Sequence, residues 1–208
     1  MASIRLTVAP VALRPLPDDS QAPQLRVSTL RPDGDWLSAS IPDSGAALQA
    51  ARQLLEREVR PELRTGLRLE NVGVDYASGV PNLLLTAVLP IGAAELRDAA
   101  QDWQLLTPWV AKDSERVRLL GKDPVRAALV AYWRGQLART SAGLDLLPKH
   151  FTITQLRSVY SSVWGEIQAH ANFQRWLLDS ARDVRGNPLL DKVDDEEVRQ
   201  EVQSGLAV

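Results

Sequence analysis

Residues 146–178, which read LLPKHFTITQLRSVYSSVWGEIQAHANFQRWLL, decide how the chain is interpreted. Either Thr152 or Thr154 can cap a helix in this stretch, and Gly165 can end that helix or bend it. Asn172 can cap a second short helix. Apolar side chains recur at helical spacing in both segments, at Leu156, Val159, Tyr160, Val163, Phe173, Trp176 and Leu177. The stretch therefore predicts two brief helices, each with one apolar face.

The same stretch resembles the winged-helix domain that follows a Nudix fold in the Nudix-related transcriptional regulators of NAD metabolism. The similarity consists of Leu-Pro, Phe-Thr-Ile-Thr-x-Leu, Val-Tyr, Gly and Asn-Phe-x-Arg elements, in that order. The matching positions are Leu147, Pro148, Phe151, Thr152, Ile153, Thr154, Leu156, Val159, Tyr160, Gly165, Asn172, Phe173 and Arg175. Residues 1–147 resemble the Nudix part only in the order of their strands and helices. The resemblance implies a Nudix-like domain joined to a DNA-binding winged helix.

The first half of the chain alternates strand and helix patterns. IRLTVAPVAL and QLRVSTL are β-rich and are separated by RPLPDDSQAP, a predicted loop. LRLENVGVDYA and NLLLTAVLPI are further strand candidates, and the second is apolar enough to be buried. Between the two pairs, residues 45–58 predict a helix with Asp43 or Ser44 as its cap. Its apolar positions are Leu48, Ala51, Leu54 and Leu55.

A long helix is predicted from PVRAALVAYWRGQLAR, with Asp123 as N-cap and Pro124 in the first turn. Val125, Leu129, Tyr132, Trp133 and Leu137 share one face of it. We therefore predict an α+β fold, with a Nudix-like mixed α/β/α sandwich in residues 1–140. A small, mostly helical winged-helix domain with an acidic C-terminal segment is expected in residues 141–208.

Composition excludes several function classes. The net charge is -2, and the chain has no Cys and two His, so disulfides, thiolate zinc clusters, a cysteine nucleophile and a histidine-rich metal site are excluded. Residues 1–10 lack the pattern of a secretory signal, and no apolar run approaches the roughly 18 residues of a membrane span. We expect a cytoplasmic protein without membrane, metal or cofactor.

The Nudix catalytic box can be tested directly on this sequence. Placing Arg52 on the motif arginine puts Gln53 on the first glutamate of the cluster, and Glu56 and Arg57 on the next two. Ser38, Ser44 and Val59 fall on the leading glycine, the earlier glutamate and the later glycine. The family chemistry needs carboxylates to hold magnesium against a diphosphate. With one carboxylate in register, we predict no Nudix catalysis and no catalytic residue.

A sensor is the function that the resemblance then implies for the first domain, because in these regulators the Nudix-like domain binds ADP-ribose or a related NAD metabolite. A nucleotide diphosphate would need cations and an aromatic plate. The candidates are Arg31, Trp36, Arg52 and Tyr76. An ordinary structural role is the alternative for each, since amphipathic rings are commonly half-buried and charged helix faces are commonly solvated.

DNA contacts are expected from the second short helix, which enters the major groove in a winged helix. By resemblance this helix opens at Asn172, where capping is the alternative role. Gln174 and Arg175 suit base edges and phosphates, although Gln174 replaces the arginine usual in the family. Other candidate DNA-contacting residues are Lys149, Thr154 and Arg157. The acidic residues 194–197 would be repelled by DNA if they formed the wing.

The leading hypothesis is a homodimeric transcription regulator that binds a DNA operator and responds to a nucleotide-type effector. The dimer is implied by the family and by paired recognition helices reading two half-sites. The first alternative is a ligand-binding or interaction protein that has lost DNA binding. A second is a residual nucleoside-diphosphate hydrolase using carboxylates outside the motif register, for which Glu58, Glu62 and Glu70 are available.

Overall fold

The computed structural model describes residues 3–14, 24–28, 35–58, 67–76, 79–89, 103–107, 113–139, 146–147, 151–165, 169, 171–173 and 175. The strands in these ranges are β1 (Ile4–Arg14), β2 (Gln24–Val27), β3 (Leu37–Ile41), β4 (Arg68–Asp75), β5 (Asn82–Val88) and β6 (Gln104–Leu105). The helices are α1 (Ala47–Glu58), α2 (Asp113–Gly121), α3 (Pro124–Arg139) and α4 (Ile153–Trp164). A 3-10 turn, Ser44–Ala46, precedes α1.

The strands form one mixed sheet in the order β4-β5-β1-β2-β6, with β3 paired to β1 beside β2. Strand β1 is central and runs parallel to β5, whereas every other pairing is antiparallel. The four strands predicted from sequence are confirmed. Strands β3 and β6 had no predicted counterpart.

Pro10 lies inside the central strand, a position where proline normally removes a ladder hydrogen bond. The first part of β1 pairs with β3 through Val8, and the second part pairs with β2 from Val11 onward. Pro10 therefore falls where one neighbour ends and the next begins. Its carbonyl accepts a hydrogen bond from the Ser28 backbone at 3.2 Å, so the proline interrupts neither antiparallel ladder.

Helices cover both faces of the sheet. Successive strand residues point to opposite faces, so each strand contributes side chains to both cores. On one face, Leu6 and Val8 of β1 join Leu83 and Leu85 of β5 in a core that includes the buried residues of α1. The opposite face packs on α3 and α4, through Ala9, Val11, Leu25, Val27, Leu84 and Val88. The chain thus forms an α/β/α sandwich, and the predicted α+β class is confirmed.

The 3-10 turn that leads into α1 begins after Asp43, whose side chain accepts a hydrogen bond from the backbone of Ala46 at 3.1 Å. The two capping candidates are thereby resolved in favour of Asp43. Leu48, one of the four apolar positions at helical spacing, does not face the core, because it is 56% exposed while Ala47 is buried. The buried face of α1 consists of Ala47, Ala51, Leu54 and Leu55. It differs from the four positions at helical spacing only in that Ala47 takes the place of Leu48.

Helix α3 spans the predicted residues and begins as predicted. The Asp123 carboxylate accepts a hydrogen bond from the backbone N–H of Arg126 at 3.0 Å. The backbone carbonyl of Asp123 accepts one from the backbone N–H of Ala127 at 2.9 Å. Leu129, Trp133 and Leu137 are buried against the sheet and α4, together with Val130. No helix within the described ranges is long and apolar enough to cross a membrane.

Candidate nucleic-acid interface

Helix α4 is fixed at its start by a capping box. The Thr152 hydroxyl accepts a hydrogen bond from the Gln155 backbone at 3.1 Å, and the Gln155 side chain accepts one from the Thr152 backbone at 2.8 Å. Both groups are otherwise orphaned at a helix N-terminus. Of the two candidates, Thr152 is therefore the cap, which leaves Thr154 exposed in the first turn.

The end of α4 is set by Gly165, which adopts the left-handed conformation at φ 74°. Its backbone N–H donates to the Ser161 carbonyl at 2.8 Å. Glycine takes this conformation without the steric cost that a Cβ imposes. The prediction that Gly165 ends or bends the helix is thus resolved as an ending.

Helix α4 exposes polar side chains on the side away from the core. Thr154 is exposed and Arg157 is half-buried, and their spacing of three residues places them on one helical face. Leu156, Val159 and Val163 are buried on the other side of the helix. The exposed face of α4 therefore carries a hydroxyl and a guanidinium side by side, a pair suited to phosphate contacts.

A short helical turn follows α4, and its described residues are 171–173 and 175. Phe173 donates its backbone N–H to the Ala169 carbonyl at 3.0 Å, so the turn already begins before residue 172. The prediction that Asn172 is the N-cap is wrong for this reason. Asn172 and Arg175 are both exposed and lie three residues apart on the turn.

Tyr160 joins the turn to α4 and α3. Its ring contacts Phe173 edge-on at 5.3 Å and stacks on Trp164 at 5.5 Å, while its hydroxyl donates to the Leu137 carbonyl at 3.1 Å. Burial raises the pKa of Tyr160 to about 12. Phe173 is only 1% exposed, so the turn that carries Asn172 and Arg175 is anchored by an aromatic contact.

Two of the predicted DNA-contacting residues, Lys149 and Gln174, lie outside the described ranges, as does the whole of 176–208. The wing or tail expected in that last segment therefore stays a prediction. The structure places the remaining candidates on two consecutive elements: Thr154 and Arg157 on α4, and Asn172 and Arg175 on the turn.

The residues aligned with the arginine and the glutamate cluster of the Nudix box lie on α1. Arg52, Gln53, Glu56 and Arg57 are all exposed along that helix. Glu70, by contrast, accepts a hydrogen bond from the Tyr132 hydroxyl of α3 at 2.8 Å, on the opposite face of the sheet. In the described part of the chain, no group of three or more acidic or histidine side chains is placed to hold a metal ion.

Burial, and secondly the hydrogen bond to Glu70, raise the pKa of Tyr132 well above its ordinary value. Tyr132 therefore stays protonated as a donor, and Glu70 is engaged in joining β4 to α3. Glu58 has no described side-chain surroundings, and Glu62 lies outside the described ranges. The carboxylates named for a residual hydrolase are thus not gathered into one described site.

Trp36 is engaged in holding the start of α3. It packs partly buried against the core beneath α3, and its indole N–H donates to the Asp123 carboxylate at 3.3 Å. The guanidinium of Arg126 also lies 3.6 Å from this carboxylate and donates to the Gln104 side chain at 2.6 Å. This cluster connects the chain before β3 with α3 and β6, which the sequence spacing did not indicate.

Two of the predicted ligand-binding residues lie on opposite faces of the sheet. Trp36 packs on the face covered by α3, whereas Arg52 is exposed on α1, which covers the other face. Tyr76 follows β4 and is 68% exposed, and Arg31 lies outside the described ranges. Their role in binding a nucleotide stays a prediction.

Comparison with known families assigns the C-terminal elements. Residues 143–182 match the model of the NrtR DNA-binding winged helix domain. The resemblance to the Nudix-related transcriptional regulators is confirmed for this segment. The NrtR-type segment includes α4, the turn at 171–173, and all six candidate DNA-contacting residues.

Two solved structures are similar to the chain as a whole at low identity. The crystal structure of Shewanella oneidensis NrtR complexed with a 27mer DNA has 12% identity over 92% of this chain and 89% of that chain, with a TM-score of 0.42. Shewanella oneidensis NrtR alone has 16% identity over 83% and 82%, with a TM-score of 0.40. No curated protein matches the chain. The assignment of the NrtR-type segment rests on the family model.

Proposed function

We propose that the protein is a DNA-binding transcription regulator whose NrtR-type segment binds an operator. The observation that carries this proposal is the family match over 143–182, in which the exposed Asn172 and Arg175 lie on the turn that follows α4. A short helix with exposed amide and guanidinium groups is suited to contacts with base edges and phosphates. Thr154 and Arg157 add a second pair of polar contacts from α4.

The sandwich formed by the sheet, α1 and α3 acts as the sensory part of this regulator. We propose that it is Nudix-like and responds to a nucleotide-type metabolite such as ADP-ribose or a related NAD metabolite. Support comes from the order of strands around α1 and from the family of the C-terminal segment. Arg57 and Gln53, exposed on α1 where the Nudix box has carboxylates, support binding without hydrolysis.

A homodimer completes the proposal. Winged-helix and helix-turn-helix regulators commonly present paired recognition helices to two half-sites, and one copy supplies one such helix here. The effector then acts by changing the affinity of the dimer for its operator.

The test is selection of genomic DNA fragments by the purified protein at about 0.1 M salt, where phosphate contacts are strong enough to detect. Recovery of a particular promoter, followed by its release or tighter retention with ADP-ribose, is expected. Recovery of no fragment by a folded protein would overturn DNA binding. The function would then be metabolite binding or protein interaction, a reading that the acidic segment 188–208, with six acidic and two basic side chains, favours.

A further inference from the structure

The C-terminal end of α4 is hydrogen-bonded directly to the sheet. The Ser162 hydroxyl accepts the backbone N–H of Leu25 in β2 at 3.0 Å. Thr107, which follows β6, donates its backbone N–H to the Ser162 carbonyl at 3.2 Å and its hydroxyl to the Val163 carbonyl at 2.6 Å. Ser162 and Thr107 are fully buried. We call these three hydrogen bonds the α4–sheet junction.

The junction completes the hydrogen bonding of β2. In a strand, the N–H and C=O of one residue point to the same side, and the Leu25 carbonyl already accepts from Leu106 at 3.3 Å. Because β6 is only two residues long, its ladder supplies no carbonyl for the Leu25 N–H. Ser162 supplies the acceptor instead. A buried N–H without this partner would carry the desolvation cost of a lost hydrogen bond.

The same contacts complete the end of the helix. The last carbonyls of an α-helix have no partner within the helix. Here the Val163 carbonyl accepts from Thr107 and, at 3.3 Å, from Arg134 of α3, which also reaches the Trp164 carbonyl at 3.1 Å. A guanidinium at this end also complements the helix dipole. The end of α4 is thus held by the sheet and by α3.

Tyr160 extends this connection to the candidate DNA-contacting turn. It lies two residues before Ser162 on α4, its hydroxyl donates to the Leu137 carbonyl of α3, and its ring packs on the buried Phe173. The path from Leu25 to the turn therefore runs through the hydrogen bond to Ser162, along α4 to Tyr160, and across the ring contact with Phe173.

We infer that Ser162 and Thr107 are positioning residues that hold the winged-helix segment on the sheet, so that a rearrangement of β2 or of Thr107 changes the position of the turn carrying Asn172 and Arg175. This inference rests on the proposed function. It makes the sheet edge at β2 and β6 the route by which an effector bound to the sandwich changes operator affinity. If the turn is in its DNA-binding position only part of the time, the apparent affinity for the operator falls in proportion to that fraction.

The position of the turn is measured first, without DNA or effector. The chain has no cysteine, so spin labels can be attached at Leu48→Cys on α1 and Ala171→Cys on the turn, both exposed positions. A narrow distribution of label distances is expected for the otherwise unchanged protein. Thr107→Val and Ser162→Ala should broaden it. Thr86→Val is the matched control, because its buried hydroxyl donates to the Ala9 carbonyl within the sheet at 3.1 Å.

Affinity for the selected operator fragment is measured next, with and without ADP-ribose. Thr107→Val and Ser162→Ala should each weaken operator binding about tenfold and reduce the response to ADP-ribose, as loss of a buried hydrogen bond allows. Thr86→Val should change neither. Unchanged distance distributions in both junction variants would overturn the inference. Broadened distributions with unchanged operator affinity would overturn the positioning role.

Failure of the proposed function is seen separately. If the unchanged protein binds no DNA fragment, operator binding is overturned whatever the junction variants do, and the distance distributions still report whether α4 is held on the sheet. If the unchanged protein binds its fragment and Arg175→Ala weakens that binding, the proposed function stands. The junction variants then test the inference alone.

Discussion

The carboxylate of Glu70 accepts a hydrogen bond from the hydroxyl of Tyr132 at 2.8 Å, which joins β4 at one edge of the sheet to α3. Arg68 lies 4.0 Å from the same carboxylate. Glu70, one of the carboxylates considered for a residual hydrolase, is therefore bonded to other side chains of the fold. The Tyr132–Glu70 hydrogen bond is only partly buried, so it stabilises the packing of α3 on the sheet moderately.

We predict that Tyr132→Phe lowers the free energy of unfolding by about 1–2 kcal/mol, because the bond is made to a charged carboxylate but is only partly buried. Urea unfolding followed by circular dichroism measures this change. Tyr76→Phe is the matched control, since Tyr76 is 68% exposed and the same hydroxyl is removed. Equal stabilities for the two variants would contradict a stabilising role for the Glu70–Tyr132 contact.

The Gly165 conformation gives a second prediction. Gly165→Ala places a Cβ on a residue at φ 74° and should destabilise the protein by about 1 kcal/mol. Gly135→Ala should stabilise it by about 0.5–1 kcal/mol, because Gly135 is inside α3 and a Cβ there meets no atom within 4 Å. Thermal unfolding of the two variants should shift in opposite directions. An unchanged or raised midpoint for Gly165→Ala would contradict a cost of the left-handed conformation, and a lowered midpoint for Gly135→Ala would contradict the second prediction.

The raised pKa of Tyr160 predicts that the protein loses stability at alkaline pH. Its folded-state pKa of about 12 lies above the ordinary value of 10.0, so the folded state retains its proton where the unfolded state releases it. The stabilisation is complete below pH 10 and is lost as the pH rises towards 12, by about 2 kcal/mol. Unfolding measured between pH 9 and 12 should show this decline. Tyr160→Phe should make the decline shallower, and an unchanged pH profile would contradict the assignment.

Arg175→Ala should weaken DNA binding and lower the slope of log affinity against log salt concentration by about 1 if the guanidinium neutralises a phosphate. Fluorescence anisotropy with a labelled operator fragment, over a series of salt concentrations, measures both quantities. Arg118→Ala on α2 removes an equally charged, exposed side chain outside the NrtR-type segment and is the control. Equal slopes for the two variants would exclude a phosphate contact by Arg175.

No magnesium-dependent hydrolysis of ADP-ribose is expected, because Gln53 and Arg57 stand where the Nudix motif has glutamates on α1. Product release is measured with magnesium and manganese at saturating substrate. Robust turnover that Glu56→Gln abolishes would contradict this prediction and would restore the hydrolase alternative.

Local sequence signals predicted the elements whose boundaries depend on nearby residues. Asp123 with Pro124 begins α3, and Gly165 ends α4, because caps and left-handed turns are determined within a few residues of chain. The β4 and β5 strands were similarly evident from their composition. The winged-helix segment was recognised by its resemblance to a known family, which is carried by residues between Leu147 and Arg175.

Features set by distant parts of the chain were missed. Strand β6 has two residues and exists because β2 lies beside it. Trp36 was considered as a ligand-binding ring, yet its partner Asp123 is 87 positions away. Leu48 fits the helical spacing and yet lies outside the core, because periodicity alone does not decide which of two adjacent positions faces the sheet. Tertiary packing decides these cases.

The hydrogen bond between Ser162 and Leu25 joins positions 137 residues apart. During synthesis on the ribosome, β2 emerges long before the helix that supplies its last acceptor. A nascent chain that stops short of α4 has a sheet edge with an unfilled backbone donor, and such edges are prone to pair with other chains. Synthesis of α4 therefore closes a sheet edge that a shorter nascent chain would leave open to pairing with other chains.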